Sequence, residues 1–264
     1  MKLTIDHETV YRYDDTVSHS TQYLRLTPGN SGHQHIISWQ LDLPGVASES
    51  VDAFGNILHV LTLDTPHSEI RLKARGVVET NDSWAEQPET LPAPVFLRDS
   101  PLTEPSEAIL ALAASHADAI AANPEDGLTA LMLAIADAMP YTQDITHAGT
   151  TAAQALALGA GVCQDHSHVF IAACRSLGLP ARYVSGYLLS DRDTHVASHA
   201  WAEAYDGEQW LGFDISNRQR PDRHHLKLAV GLDYSDASPV RGVRRGGGSE
   251  ALHTHAKVSE AGQQ

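Results

Sequence analysis

An α+β chain of two units, the first built of antiparallel strands, is predicted by three observations. β-branched and aromatic residues with partial alternation recur over 3–13, 17–26, 34–43, 50–63 and 68–80, separated by Pro28-Gly29-Asn30 and Pro44-Gly45. A run of prolines then interrupts the chain. Beyond it, apolar residues take helical spacing, and strand alternation returns only after Pro180.

Residues 1–85 therefore read as an antiparallel β-sandwich. Pro88, Pro92, Pro94, Pro101 and Pro105 mark 86–105 as a connector, because proline has no N–H and a fixed φ. The second unit spans 106–264. Ser106 is placed to cap an alanine-rich helix over 107–122 that Asn123-Pro124 stops, and a second helix covers 126–139. Thr151 and Gln154 have the spacing of a capping box for a short helix that Gly159 ends, so the next helix, beginning at Cys163, starts after a forced break. Strands are expected at 181–189, 199–205, 209–214 and 226–233.

Composition narrows the function classes. The 264 residues are 42% apolar, enough for buried cores, and the formal net charge of −15 repels phosphate backbones and anionic headgroups. Neither nucleic acid nor a membrane is expected as a partner. The N-terminal residues lack an apolar signal-peptide core, and no run approaches the roughly 18 apolar residues of a span. Two cysteines make no disulfide framework, and on one helix Cys163 and Cys174 would stand about 16 Å apart, too far to bridge. Both are expected as free thiols in the cytoplasm. Nothing in the sequence sets an oligomeric state.

The sixteen histidines raise the question of a metal, with His33-x-His35, His166-x-His168, His195-x3-His199 and His253-x-His255 as the clusters. Zinc sites usually need four ligands at recognisable spacings, and no cluster has such a partner set. No metal and no cofactor are expected.

Three residues carry a candidate chemistry. Cys163 follows Gly159-Ala160-Gly161-Val162 and opens a run of helical apolar spacing, which places a thiol at a helix start. Unpaired N–H groups and the positive dipole end there favour an anion, and a thiolate is one. Glycine at 161 permits a close approach. Further on, 199–205 and 208–214 alternate about Asp206-Gly207, a strong hairpin signal. A two-residue loop pairs 205 with 208 and sets His199 opposite Asp214; a four-residue loop would make them diagonal neighbours on the same face, whereas an uncompensated three-residue loop would separate them. In that geometry His199 takes the Cys163 proton and later returns it, while Asp214 fixes the tautomer. Cys174, amid Ala172, Ala173 and Leu177, reads as core.

The stretch Gly161-Val162-Cys163-Gln164-Asp165-His166-Ser167-His168 resembles the core of the bacterial transglutaminase-like superfamily, as do Ser176-Leu177-Gly178-Leu179-Pro180-Ala181-Arg182-Tyr183, Ser198-His199-Ala200-Trp201 and Phe213-Asp214. Residues 7–13 and 24–28 resemble the β-rich domain that accompanies this core in bacteria, and 230–242 is also similar. The resemblance implies a papain-like α+β core, with the nucleophile helix packed on an antiparallel sheet that carries histidine and acid. Members are often described as candidate cysteine proteases. Many relatives have proline after the acid, where this chain has Ile215-Ser216-Asn217.

Other residues near these motifs admit two readings. Asp165 either complements the helix dipole or shapes the site, and His166, three residues after the thiol, is the rival base. Trp201 and Trp210 share the hairpin face with His199 and Asp214, as core or as a wall against water. The Cys163 N–H is an expected oxyanion donor. The function expected is hydrolysis of a peptide or other amide by a Cys163-His199-Asp214 triad through a thioester. Acyl transfer from glutamine to an amine, or a non-catalytic binding or scaffolding protein, are the alternatives.

Overall fold

The structure, a computed structural model, describes residues 1–83, 91–189 and 198–262. The two strands expected first are one, β1 (Lys2–Leu24), with register shifts between Arg12 and Val17 on one edge and between Val17 and His19 on the other. Along one edge it pairs with β4 (Ile57–Leu63) and then β5 (His67–Thr80); along the other lie β10 (Val240–Gly246) and β11 (Glu250–Glu260). The chain passes from β4 to β5 and from β10 to β11 opposite these shifts, which makes a corner there on both edges of β1. Gly248 belongs at this corner: its φ is +59°, and a Cβ would lie 1.9 Å from the Asp14 carboxylate. β2 (Gln34–Asp42) pairs with β5 and β3 (Ala47–Val51) with β4, which completes seven strands.

The two layers expected of a sandwich are thus two halves of one antiparallel sheet, sharing a core of Val17, Leu24, Leu61, Ile70 and Leu72. Residues 50–63 are a hairpin rather than a strand, because the Asp52 carboxylate accepts from the Phe54 and Asn56 N–H groups and turns the chain. The sequence division at 106 leaves 240–260 with the second unit, yet these residues pair with β1. Their pattern conceals this, since of β10 and β11 only Ala256 is buried.

In the connector, Pro88 lies outside the described residues. Ala93–Leu97 forms a 3₁₀ turn, which the prolines were expected to discourage. Pro94 sits in its first turn, where the missing N–H costs nothing, and Phe96 is buried. The helix expected over 107–122 is two, α1 (Glu107–Ala114) and α2 (Ala117–Ala122). Between them the Ser115 hydroxyl donates to the Leu112 carbonyl at 2.7 Å, competing with the ladder. Asn123 then caps α3 (Pro124–Ala138). The Thr151–Gln154 capping box of α4 (Ala152–Leu158) is present, and Gly159 ends that helix at φ +65°.

α5 (Cys163–Ser176) lies against a second antiparallel sheet of order β8-β7-β6-β9, formed by β6 (Ala181–Leu188), β7 (Ser198–Tyr205), β8 (Trp210–Phe213) and β9 (His225–Gly231). The short helix α6 (Tyr234–Ala237) follows β9. Ala200, Ala202 and Ala204 give α5 a flat surface against which Val169, Phe170 and Ala173 are fully buried. At its far end the buried Arg175 donates to the carbonyls of Phe96, Ala181 and Leu232 and to the Thr103 hydroxyl, pinning helix, connector and sheet together.

Among the described residues no strand pairs with the outer edge of β9; amide side chains from the first unit take that place. Gln34 donates to the Lys227 carbonyl and accepts its N–H, both at 2.8 Å, and Asn56 does the same for Val230 at 2.7 and 2.8 Å. On the sheet's far face the buried Glu203 holds Arg182 and Lys227, each at 2.6 Å. Glu203→Gln leaves two cations without their anion and is expected to cost about 3–5 kcal/mol, to be read from chemical denaturation.

Candidate functional site

Sequence places a thiol at the first residue of a helix, and the structure shows what holds that turn. The Asp165 carboxylate folds back to accept the Val162 N–H at 2.8 Å and the Thr146 hydroxyl at 2.7 Å, both on Oδ2. Gly161 makes room for it, since a Cβ there would come within 2.7 Å of that oxygen. Asp165 therefore shapes the loop before the thiol, and Cys163 is left partly exposed. Cys174 is buried in the core, where burial pushes its thiol up.

The hairpin carrying His199 and Asp214 differs from the expected register by two residues. Tyr205 pairs with Trp210, so Asp206–Gln209 is a four-residue connection. The Asp206 carboxylate accepts from the Glu208 and Gln209 N–H groups, each at 2.8 Å, and that side-chain cap displaces the tight Asp-Gly turn. A shift of two preserves faces. His199 and Asp214 become diagonal neighbours, and their side chains still meet, Nε2 to Oδ2 at 2.8 Å. The Cys163 sulfur also lies near enough to the imidazole to favour its charged form. With Nε2 on the carboxylate, Nδ1 is the nitrogen left for sulfur.

Electrostatics follow from this packing. Burial disfavours charge on His199, but the Asp214 carboxylate more than offsets it and raises the imidazole to about 10. Burial likewise opposes ionisation of Asp214, whose exposure is 0%, yet His199 and its other donors hold it well below the usual carboxylate range. Asn217 supplies two of those donors: its side-chain amide reaches Oδ2 at 2.7 Å and its backbone N–H reaches Oδ1 at 3.2 Å. Proline at 215 is thus replaced by a turn whose third residue grips the acid.

The rival base is occupied. His166 is buried; its Nε2–H donates to the Met139 carbonyl at 2.7 Å, so Nδ1 accepts from the Ser216 hydroxyl at 2.7 Å. Burial lowers its affinity for a proton. The two tryptophans part ways. Trp201 is fully buried, with its ring edge-on to His225 at 5.5 Å and 6.3 Å from His199, and it seals the acid side of the site. Trp210 packs on Phe96 and under the Arg182 guanidinium, 4.0 Å away, and belongs to the core.

Asp214 has one more neighbour that sequence reasoning missed. His225 Nε2 lies 3.0 Å from Oδ2. A histidine pair opening an expected strand three residues after an aspartate was the only signal. His199, Asp214 and His225 are the one group of described residues whose donor atoms cluster as metal ligands would. Contacts of 2.8 and 3.0 Å between ligand atoms are shorter than the roughly 3.3 Å that separates two donors on a tetrahedral ion with 2.0 Å bonds, so the oxygen shares protons with both rings. Of the other histidine clusters, His195 lies outside the described residues, His33 bonds the His225 carbonyl, and His168 accepts the Tyr234 N–H.

Residues 3–79 match the bacterial transglutaminase-like N-terminal region, and residues 114–215 match the transglutaminase-like superfamily core. An uncharacterized protein of Mycobacterium tuberculosis is 30% identical over 90% of this chain and 86% of its own. The chain belongs to the transglutaminase-like superfamily. An uncharacterized protein of Mycobacterium leprae is 28% identical over 98% of both chains. Among solved structures, a candidate cysteine protease from Cytophaga hutchinsonii superposes with a TM-score of 0.80 at 26% identity, covering all of this chain and 92% of its own. The mixed architecture, an antiparallel sheet followed by a transglutaminase-like core, is thus shared from end to end. None of the described helices is long and apolar enough to cross a membrane.

Proposed function

We propose that this transglutaminase-like protein is a cysteine-nucleophile enzyme that hydrolyses a peptide or other amide bond. One observation carries the reading: the His199 imidazole meets the Asp214 carboxylate at 2.8 Å and feels the Cys163 sulfur, which stands at the first residue of a helix. His199, kept charged by Asp214, faces a thiolate stabilised by the helix N-terminus, and the sulfur attacks the amide carbonyl. In this reading the Cys163 N–H binds the oxyanion. As the tetrahedral adduct collapses, the C–N bond breaks and His199 gives its proton to the leaving amine, which leaves a thioester. His199, now neutral, takes a proton from water, whose oxygen attacks the thioester; the acid departs and the thiolate returns.

The likeness to the Cytophaga hutchinsonii protein supports a protease reading. Water is the proposed acceptor because nothing about the described residues builds a site for a second amine substrate. Two free cysteines and a formal net charge of −15, which repels phosphate backbones and anionic headgroups, fit a cytoplasmic enzyme with a peptide or protein substrate. A glutamine peptide incubated with a primary amine tests the choice of acceptor. Ammonia release without adduct is expected; an isopeptide-type adduct would make the protein a transferase, and no reaction at Cys163 with any acyl donor would leave a non-catalytic binding protein.

A further inference from the structure

Asp214 is gripped from behind by a residue that the Cys163-His199-Asp214 reading does not use. His225 is fully buried at the first position of β9. Its Nε2 meets Asp214 Oδ2 at 3.0 Å and its Nδ1 meets Asp222 Oδ1 at 3.1 Å. The Asp222 backbone N–H also points at Nδ1 from 3.1 Å. In the neutral ring Nδ1 accepts that N–H, and in the charged ring Nδ1–H donates to the Asp222 carboxylate. Nε2 carries its hydrogen in both states. Asp214 Oδ2 is therefore offered an N–H by His225 whatever the charge of that ring.

We infer that His225 is a positioning residue, which locks the Asp214 carboxylate in the orientation that receives His199. The inference rests on the function proposed above. Three donors converge on one oxygen, His199 at 2.8 Å, Asn217 at 2.7 Å and His225 at 3.0 Å, from three separate segments of chain. A carboxylate held by fewer would have a free rotor, and a misplacement of about 1 Å at a reacting group can cost roughly a hundredfold in rate.

The first sheet takes part in this hold. His33 donates its Nε2–H to the His225 carbonyl at 2.7 Å, and the Gln34 amide clamps Lys227 two residues on. The β-rich unit thereby fixes the backbone that carries His225, and its part in the chemistry is to keep the acid still. The charged and titratable groups facing His225 are Asp214, Asp222, His199 and His33. Trp201 closes the remaining side.

Two amide substitutions separate positioning from simple packing. Glutamine ends its side-chain N–H near the Nε2 position and keeps the donor to Asp214; asparagine ends near Nδ1 and reaches only the Asp222 side. The rate of Cys163 alkylation by iodoacetamide at neutral pH is measured for both, together with melting temperature. His225→Gln is expected within about threefold of the wild type and His225→Asn slower by roughly tenfold to a hundredfold, with the two variants melting together. Equal rates in both variants, whether unchanged or lowered in step with melting temperature, would overturn the inference. Wild-type alkylation indifferent to His199→Ala would defeat the proposed function itself. A His199-dependent rate that ignores His225→Asn defeats only the role of His225.

Discussion

Cys163→Ala is expected to abolish turnover and leave the fold standing. The thiol is the atom that forms the covalent intermediate, and no described neighbour can replace it: Ser167 gives its hydroxyl to the Cys163 carbonyl, and Cys174 is buried in the core. Losing a nucleophile typically lowers kcat by about 10⁴-fold or more. Structural cost is small because the side chain is partly exposed and truncation removes one heavy atom. The assay is hydrolysis of an activated ester such as p-nitrophenyl acetate, with circular dichroism as the control for folding. Retained ester turnover in the variant would show that the chemistry lies elsewhere.

Asp214→Asn should be nearly as damaging, by roughly 10²- to 10⁴-fold in kcat. The reason lies in the acceptor arithmetic of the site. Oδ2 receives N–H groups from His199, His225 and Asn217, and Oδ1 receives the Asn217 backbone N–H. An amide has one accepting oxygen and one donating nitrogen. Turned one way, its NH₂ faces three donors; turned the other, it faces the backbone N–H. His199 then loses the anion that keeps it charged, and neutral imidazole with the wrong tautomer cannot serve the sulfur. Stability should fall as well, since the buried donors lose their partner. Turnover at the wild-type rate in this variant would remove Asp214 from the mechanism.

Much of this site was legible because its signals are local. A glycine step followed by helical apolar spacing places Cys163, and alternation about Asp206-Gly207 places His199 and Asp214 on one face whether the connection has two residues or four. That tolerance to an even shift is why the pairing survived a register error caused by the Asp206 cap. What stayed hidden depends on long-range contact. β10 and β11 expose nearly all their side chains, so no apolar pattern reveals that the C-terminal segment closes the first sheet. His225 and Asn217 reach Asp214 only once β9 and the 214–219 turn are folded. The Gln34 and Asn56 clamps on β9 are likewise amides that read as ordinary polar residues in sequence.

Glycine and alanine also did more than composition suggests. Gly186 lies beneath the Trp201 ring, and a Cβ there would come within 2.2 Å of the Leu226 carbonyl and 2.7 Å of the indole. The tryptophan that shields the acid is therefore seated by an absent side chain on the neighbouring strand. Small residues at 200, 202 and 204 do the same for the nucleophile helix, letting it approach β7 closely enough for its first residue to reach His199.

The pH profile of Cys163 alkylation, run on the wild type and on His199→Ala, tests the thiol–imidazole pairing most directly. His199 stays protonated up to about 10 beside the sulfur, so the wild-type rate should hold a broad plateau through neutral pH. In His199→Ala the plateau should vanish and the rate should climb with pH as it does for an ordinary thiol, near 8.5. Superimposable profiles would contradict the pairing on which the proposed chemistry stands.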